Sequence, residues 1–339
     1  MRKFSSFFLL CLSLALTYAL FEAGMQLMIA KGVVGGGYAV DFAEFEKRAI
    51  AANKSLRDFA ASLPLHPLLG WDSQARRQGA TTPTSTLLLL GDSVAYGQDA
   101  DIGKNDFATL LAKSLEPKGL RLVNAATSGY GLDQMYLTFL TRLAADKPDV
   151  ALFCFIPHDI RRLGLSFFNL AAKPRFFPET SGTRLALPDL AGFHESFRAA
   201  RSGYWLGFWY LQQAWLKKEY NYPARFIDYY ATVLHRILGD LAHLATQRSL
   251  RIVFAAIPNQ ADPVSSRILA PLVKDIIGKE YASPNLLYAD LEPCLRERSA
   301  DANKSGGATW AEFEAEHPGP RGHGLIAQCL AQLELEIFH

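Results

Sequence analysis

From Ser85 onward, short apolar runs alternate with amphipathic stretches of helix length. Five runs are apolar enough to be strands covered on both faces: STLLLLGDS, RLVNAATSG, VALFCFIPHD, RIVFAAIPN and LLYADLEP. Helical patterns separate or follow them at Phe107–Leu115, Leu132–Ala145, Phe226–Arg248, Pro263–Ile277 and from Arg321. This alternation predicts an α/β fold, in which helices flank a parallel sheet and the active site lies at the carboxyl ends of the strands.

The amino terminus predicts a membrane segment. Arg2 and Lys3 precede Phe4–Phe21, a stretch without charge that would span roughly 27 Å as a helix, close to the hydrocarbon core of a bilayer. Apolar residues resume after Glu22, which favours an uncleaved anchor over residues 1–30. Secretion after signal cleavage, at the small residues ending in Ala19, is the alternative. In both cases the basic residues stay inside, so the rest of the chain is expected outside the cytoplasm, in the periplasm.

Residues 31–84 are predicted to be a linker and lead-in segment, and 85–339 the main domain with an insertion at about 161–222. Inside the insertion, KPRFFPETSGTRLALPD is typical of a hairpin. The stretch YWLGFWYLQQAW is apolar nearly all round if helical, which predicts burial; a substrate wall and a contact with the membrane surface stay open. The chain has 35 Lys and Arg against 33 Asp and Glu, so no nucleic-acid partner is expected.

Three segments carry residues suited to acyl chemistry. Gly91-Asp92-Ser93 ends a leucine-rich strand and would place a hydroxyl at the mouth of the sheet, although Asp and Ser are also ordinary turn and cap residues. The segment VNAATSGYG contains Gly129, whose N–H could approach a ligand closely. Near the carboxyl end, Glu314 precedes His317 by three residues, just before the last helix.

Together these segments resemble the SGNH, or GDSL, hydrolases, especially membrane-anchored bacterial members, from Ser85 to the C-terminus. The resemblance implies a three-layer α/β/α fold with a flavodoxin-like, parallel, five-stranded sheet. It also implies that Ser93 is the nucleophile, His317 the general base and Glu314 the acid that orients it. The N–H groups of Ser93 and Gly129 would stabilise the tetrahedral intermediate. The implied reaction is ester hydrolysis or acyl transfer.

The chain departs from the family pattern at three positions. Glu314 stands where the family usually has Asp, with Glu312 and Glu316 as nearby competitors. Ala126 replaces a glycine common in relatives. His158 occupies the place of an asparagine that donates to the oxyanion.

His158 and Asp159, in IPHDI, would form a base and acid pair only if both side chains pointed the same way. Successive strand residues point to opposite faces, so we expect them to have separate roles. A neutral imidazole can donate one N–H, which predicts His158 as the third oxyanion donor. The alternative is an impaired site in a protein that binds without turnover.

Other classes fit less well. An α/β-hydrolase elbow, Gly-x-Ser-x-Gly, is absent because Ala95 stands at its second glycine, and the glycine run at 35–37 lacks the strand and helix of a nucleotide site. No histidines have metal-ligand spacing, so neither metal nor cofactor is expected. The expected substrate is an acylated small molecule, glycan or lipid, with O-acetyl groups on cell-surface or periplasmic glycans favoured by the compartment.

The cysteines give one further hypothesis. Cys154 lies in a very apolar run and is expected to be a buried free thiol, and Cys11 lies in the predicted anchor. In an oxidising compartment Cys294 and Cys329 could form a bridge to the final helix.

Overall fold

A computed structural model describes residues 2–30, 47–55, 58, 66–72, 74–168, 171–203, 205–259, 261–304, 310–313 and 317–337. The chain divides into two compact units. The larger unit comprises residues 66–166, 173–187 and 219–339, and the smaller one comprises 1–65, 167–172 and 188–218. The smaller unit therefore combines the N-terminal segment with two parts of the predicted insertion.

The described elements are labelled in chain order. The strands are β1 Arg76–Gly79, β2 Ser85–Gly91, β3 Leu120–Asn124, β4 Val150–Phe155, β5 Phe167–Phe168, β6 Ala171–Ala172, β7 Arg175–Glu179, β8 Gly182–Ala186, β9 Arg251–Ala256 and β10 Leu286–Asp290. The α-helices are α1 Arg2–Ala30, α2 Ser93–Tyr96, α3 Phe107–Leu115, α4 Leu132–Asp146, α5 Pro157–Arg161, α6 Leu190–Ser202, α7 Leu206–Leu216, α8 Lys218–Asn221, α9 Ile227–Arg248, α10 Pro263–Glu280, α11 Glu292–Lys304 and α12 Pro320–Ile337.

The larger unit is built on a six-stranded sheet with the order β1-β3-β2-β4-β9-β10. All five predicted strands are present and pair in parallel, in the order of a flavodoxin-like sheet. The sixth strand, β1, pairs antiparallel with β3 at the edge. The sequence did not predict β1 because its residues, RRQG, form no apolar run.

Helices cover both faces of this sheet, because alternate residues of each strand enter opposite cores. Leu88 and Leu90 of β2 pack in a core with α4, α9 and α10. Leu87 and Leu89 pack in a second core with α3, α11 and α12. The unit is therefore a three-layer α/β/α sandwich, as the sequence predicted, and its helices lie within three residues of the predicted bounds where both ends were predicted.

Three smaller predictions are also confirmed in this unit. β7 and β8 pair antiparallel as the predicted hairpin. Cys294 and Cys329 are disulfide-bonded and join α11 to α12, with 35 residues of sequence separation. Cys154 is a buried free thiol, as expected.

The smaller unit contains α1, α6, α7 and the two-stranded β5–β6 sheet, packed around a core that includes Met25, Phe193 and Trp209. Residues Ser6–Met28 of α1 are long and apolar enough to cross a membrane, as an anchor or a signal sequence would be. The predicted burial of the aromatic stretch is correct for only one side of α7. Trp209 is buried, whereas Phe208 is 60% and Trp215 is 61% exposed.

The disulfide generates a stability prediction. Replacing Cys294 and Cys329 together by Ser should lower the free energy of unfolding by about 4 kcal/mol, because the unfolded chain regains the entropy of the closed loop. Urea denaturation of the detergent-solubilised full chain, followed by circular dichroism, measures this change. Reductant should bring the parent to the value of the double variant and leave the variant unchanged; a parent insensitive to reductant would contradict the prediction.

Candidate active site

Ser93 follows β2 in a sharp turn that requires glycine. A Cβ at Gly91 would lie 2.4 Å from the Cβ of Ala95 and 2.6 Å from the carbonyl oxygen of Cys154, so only glycine allows this close approach. Asp92 caps α2 by accepting a hydrogen bond from the Val94 N–H at 2.9 Å. Ser93 is therefore the first residue of a short helix at the carboxyl edge of the sheet.

The structure brings Ser93 and His317 together. The Oγ atom of Ser93 lies 2.9 Å from Nε2 of His317 and 3.2 Å from Oδ2 of Asp92. If the hydroxyl donates to Nε2, the neutral imidazole carries its proton on Nδ1. That is the tautomer in which a histidine can accept the serine proton.

The other nitrogen of His317 contacts a carboxylate that the sequence analysis missed. Nδ1 lies 3.4 Å from Oδ2 of Asp99, a residue with a positive φ of 62° in the loop after α2. Glu314, the predicted acid, and Glu316 lie outside the described residues. The remaining competitor, Glu312, accepts a hydrogen bond from the N–H of Gly319.

His323 holds the loop that carries Asp99. Its Nδ1 accepts the Phe107 N–H, and its Nε2 lies 3.2 Å from the carbonyl oxygen of Gln98. Nε2 must therefore carry the proton, and the ring is neutral. Burial lowers the pKa of His323, which keeps it in this form. His323, at the start of the last helix, thus has a structural role next to Asp99.

Gly129 lies in the loop after β3, and its φ of 82° favours glycine. This loop is fixed beside the Ser93 turn, because the N–H of Thr127 donates to the carbonyl of Gly91. Within the described part of the chain, the N–H groups of Ser93 and Gly129 donate no hydrogen bond. Two backbone donors are thus carried by loops joined at the edge of the sheet.

His158 lies in a helix rather than at the end of a strand. The strand β4 ends at Phe155, and His158 is the second residue of α5. We expected His158 and Asp159 to be successive strand residues that point to opposite faces, and this was wrong because both lie in α5. The two side chains do contact different partners. Nδ1 of His158 lies 3.3 Å from Oδ2 of Asp262, and Nε2 lies 3.0 Å from the hydroxyl of Tyr220.

Asp262 is the acceptor that fixes this imidazole. Its burial raises its pKa, but hydrogen bonds from His158 and Ser265 outweigh burial and hold the pKa below its usual range. A carboxylate can only accept, so the contact requires a proton on Nδ1 of His158; in the neutral ring Nε2 then accepts from Tyr220. In this arrangement the one imidazole N–H points at Asp262.

A buried guanidinium lies behind the nucleophile. Nη1 of Arg162 lies 2.5 Å from Oδ1 of Asp159 and 3.4 Å from Oδ2 of Asp92. All three side chains are at least 93% buried. Burial, followed by the neighbouring Asp92, raises the pKa of Asp159 well above its usual value, and Arg162 opposes this shift. Arg162 is the cation that allows two carboxylates to remain together beneath the Ser93 turn.

No family model and no curated relative matches the chain. Similar solved structures include "TesA", with 16% identity over 74% of this chain and 99% of that chain and a TM-score of 0.43. The acetylxylan esterase Axe2 from Geobacillus stearothermophilus has 17% identity over 76% of this chain and 95% of that chain, with a TM-score of 0.39. A protein from Desulfitobacterium hafniense, described as lipolytic and of the G-D-S-L family, has 12% identity over 74% of this chain and 99% of that chain, with a TM-score of 0.40.

Arg162 generates a prediction with a pH dependence. Arg162→Leu should lower the free energy of unfolding by roughly 3–5 kcal/mol at neutral pH, because two buried carboxylates lose their cation. The folded pKa of Asp159 then lies still further above its unfolded value, so the folded state binds more protons and the variant should lose stability as pH rises. Urea denaturation at several pH values measures both effects.

The matched control is Arg161→Leu, because Arg161 is the adjacent arginine but is 23% exposed and contacts Asp262. Arg161→Leu should lower the free energy of unfolding by less than Arg162→Leu does. Adding Asp159→Asn to Arg162→Leu should recover part of the loss and flatten the pH dependence. Equal costs for the two arginine variants would contradict the assigned role of Arg162.

Proposed function

We propose that this chain is a membrane-anchored serine esterase of the SGNH type, which hydrolyses O-acyl esters through Ser93 and His317. The observation that carries the proposal is the 2.9 Å separation of Ser93 Oγ from His317 Nε2, at the carboxyl edge of a parallel sheet. The order of the motifs along the sequence supports it independently, because Ser93, Gly129 and His317 follow the order of the SGNH family.

In this mechanism His317 removes the hydroxyl proton of Ser93 as Oγ attacks the ester carbonyl. The carbonyl π electrons move to its oxygen, and the N–H groups of Ser93 and Gly129 stabilise that negative charge, each at about 100- to 1000-fold in rate. The intermediate collapses to an acyl-serine as protonated His317 gives its proton to the leaving alcohol. Water, activated by His317 in turn, then releases the acid.

We propose Asp99 as the carboxylate that orients His317, because its contact with Nδ1 fixes the tautomer that the mechanism needs. Glu314 stays the residue predicted for this role by the family pattern. Asp99 has a 61% exposed side chain, so solvent screens its charge and its effect is expected to be moderate.

The oxyanion role of His158 also stays a prediction. Its N–H already donates toward Asp262, and this geometry favours the Ser93 and Gly129 backbone groups as the two main donors. If His158 were to donate to the oxyanion, its Nε2 would need a proton and the bond from Tyr220 would be lost.

The proposed substrates are O-acyl esters. Among them, O-acetyl groups on periplasmic or surface glycans are the favoured candidates. This proposal rests on the α1 anchor and on an extracytoplasmic position of the larger unit. A sugar hydroxyl could replace water at the acyl-serine, so an O-acyltransferase with the same residues is the second candidate. A glycan-binding protein without turnover is the third, and it would keep the fold but fail to acylate Ser93.

Replacing Ser93 by Ala should abolish hydrolysis of a small acetyl ester and labelling by a fluorophosphonate probe. The reason is that Oγ is the only atom proposed to form the acyl bond. The matched control is Ser128→Ala, an exposed serine that hydrogen-bonds Gln98 and should keep both signals. A parent that is never labelled would favour the binding protein, and labelling that survives Ser93→Ala would remove Ser93 from its role.

The two candidate acids can be ranked by experiment. Asp99→Asn should lower kcat by at least about tenfold with little change in KM, because it disturbs the base and not substrate binding. Glu314→Gln is the comparison, measured with the same ester and after the same check of folding by circular dichroism. A larger loss in Glu314→Gln would assign the acid as the family pattern predicts and reject Asp99.

A further inference from the structure

The outward face of α7 is apolar. Phe208, Leu211, Gln212, Trp215 and Leu216 are all exposed, and their spacing of three or four residues places them on one side of the helix. Four of these five side chains are large and hydrophobic. An amphipathic helix normally turns such a face toward a core, but here the opposite face is the buried one, with Trp209 and Leu206 in the core.

This helix is fixed to α1 through a buried carboxylate. Both oxygens of Glu22 accept backbone N–H groups at the start of α7, from Leu206 at 2.7 Å and from Gly207 at 2.8 Å. Gln26 donates to the same carboxylate. These bonds satisfy Glu22, which is 4% exposed and is the one acidic residue of α1, and they complement the positive end of the α7 dipole.

The backbone of α7 at Gly207 also lies close to the side chains of α1. A Cβ at Gly207 would lie 2.6 Å from Cε1 of Phe21 and 3.0 Å from Cγ of Met25. Gly207 therefore lets α7 pack directly against the second half of α1. Apart from this contact, α1 is largely exposed, and only 6% of its most apolar window is buried.

The length of α1 gives the depth of the contact. Its 29 residues would extend about 43 Å at about 1.5 Å per residue, more than the roughly 30 Å hydrocarbon core. With Arg2 and Lys3 at one surface, the helix crosses the core within about 20 residues and reaches the other surface near Glu22. The contact with α7 thus lies at the opposite lipid–water boundary.

The end of α7 has the chemistry of that boundary. The Nζ atom of Lys218 lies 3.9 Å from the centre of the Trp215 ring. Tryptophan and lysine combine an apolar body with a polar or charged end, and both are favoured where lipid meets water.

We propose that α7 lies in the lipid–water interface beside the anchor, with Phe208, Leu211, Trp215 and Leu216 inserted among the acyl chains. The lipid bilayer is the occupant of this face because the face continues from a helix that itself needs a bilayer. This inference depends on the anchor part of the proposed function, and not on the Ser93 chemistry. It gives the smaller unit two contacts with the membrane instead of one.

The test is cysteine accessibility in the full chain, reconstituted in lipid nanodiscs whose two faces are both open to water. In a background of Cys11→Ser and Cys154→Ala, which removes both free thiols, Leu211→Cys is compared with Leu187→Cys, and the chain is reacted with a membrane-impermeant maleimide. The pair is matched, because Leu211 is 58% and Leu187 is 61% exposed, and Leu187 belongs to the larger unit. Labelling at 211 should be at least tenfold slower in nanodiscs, and the two rates should become equal once detergent has dissolved the nanodiscs and urea has unfolded the chain.

A second readout separates lipid from protein packing. Brominated phosphatidylcholine should quench part of the tryptophan fluorescence, and Trp215→Phe should remove most of that quenching. Trp310→Phe, in the larger unit, is the control and should leave it unchanged. Equal maleimide rates at positions 187 and 211 would overturn the proposal, and so would quenching that does not depend on Trp215.

Two other outcomes are equally informative. Oxidative crosslinking of Leu211→Cys between chains would assign the face to a second copy and reject the lipid. Mass spectrometry of the reconstituted chain first checks that residues 1–30 are present. Loss of residues 1–19 would reject the anchor and with it this inference, whereas the esterase assay is unaffected by either result and tests Ser93 separately.

Discussion

The turn that carries Ser93 depends on one buried cation. Arg162 contacts Asp92 after β2, donates to the carbonyl of Tyr130 in the loop after β3, and contacts Asp159 in α5 after β4. A single guanidinium therefore joins the loops that follow three adjacent strands. Because an unpaired carboxylate is costly inside a protein, moving Asp92 or Asp159 away from Arg162 would cost free energy. These ion pairs therefore hold the loops together next to the proposed nucleophile.

Hydrophobic patterning predicted most of the fold, because the central strands β2, β4 and β9 are almost wholly buried and consist mainly of apolar runs. The edge strand β1 was not predicted, because its residues are polar and show no hydrophobic periodicity. Ser93 and His317 were singled out by the resemblance of short motifs to the SGNH hydrolases, and the structure places them in contact. Asp99 was not found, because its position depends on a loop held by His323, which is distant in sequence.

The exposed face of α7 has a physical explanation. A helix that is apolar nearly all round was expected to be buried, with a contact with the membrane surface left open, and the structure covers only the side of Trp209. Apolar surface has two possible environments in a chain with a membrane segment, and periodicity cannot distinguish them. The bonds from Leu206 and Gly207 to Glu22, which hold α7 against α1, are tertiary contacts that the sequence pattern does not contain.

The histidine in IPHDI acquires a structural explanation from the same kind of contact. Asp262 caps α10 by accepting the Ser265 N–H, and its second oxygen lies within 3.3 Å of the His158 ring and 3.2 Å of Arg161. His158 thus ties α5, which follows β4, to the start of the helix that follows β9. An asparagine is shorter and reaches less far, so the imidazole extends a contact between neighbouring loops that the usual residue would not make. This role is compatible with an active enzyme, because it leaves the backbone donors at Ser93 and Gly129 in place.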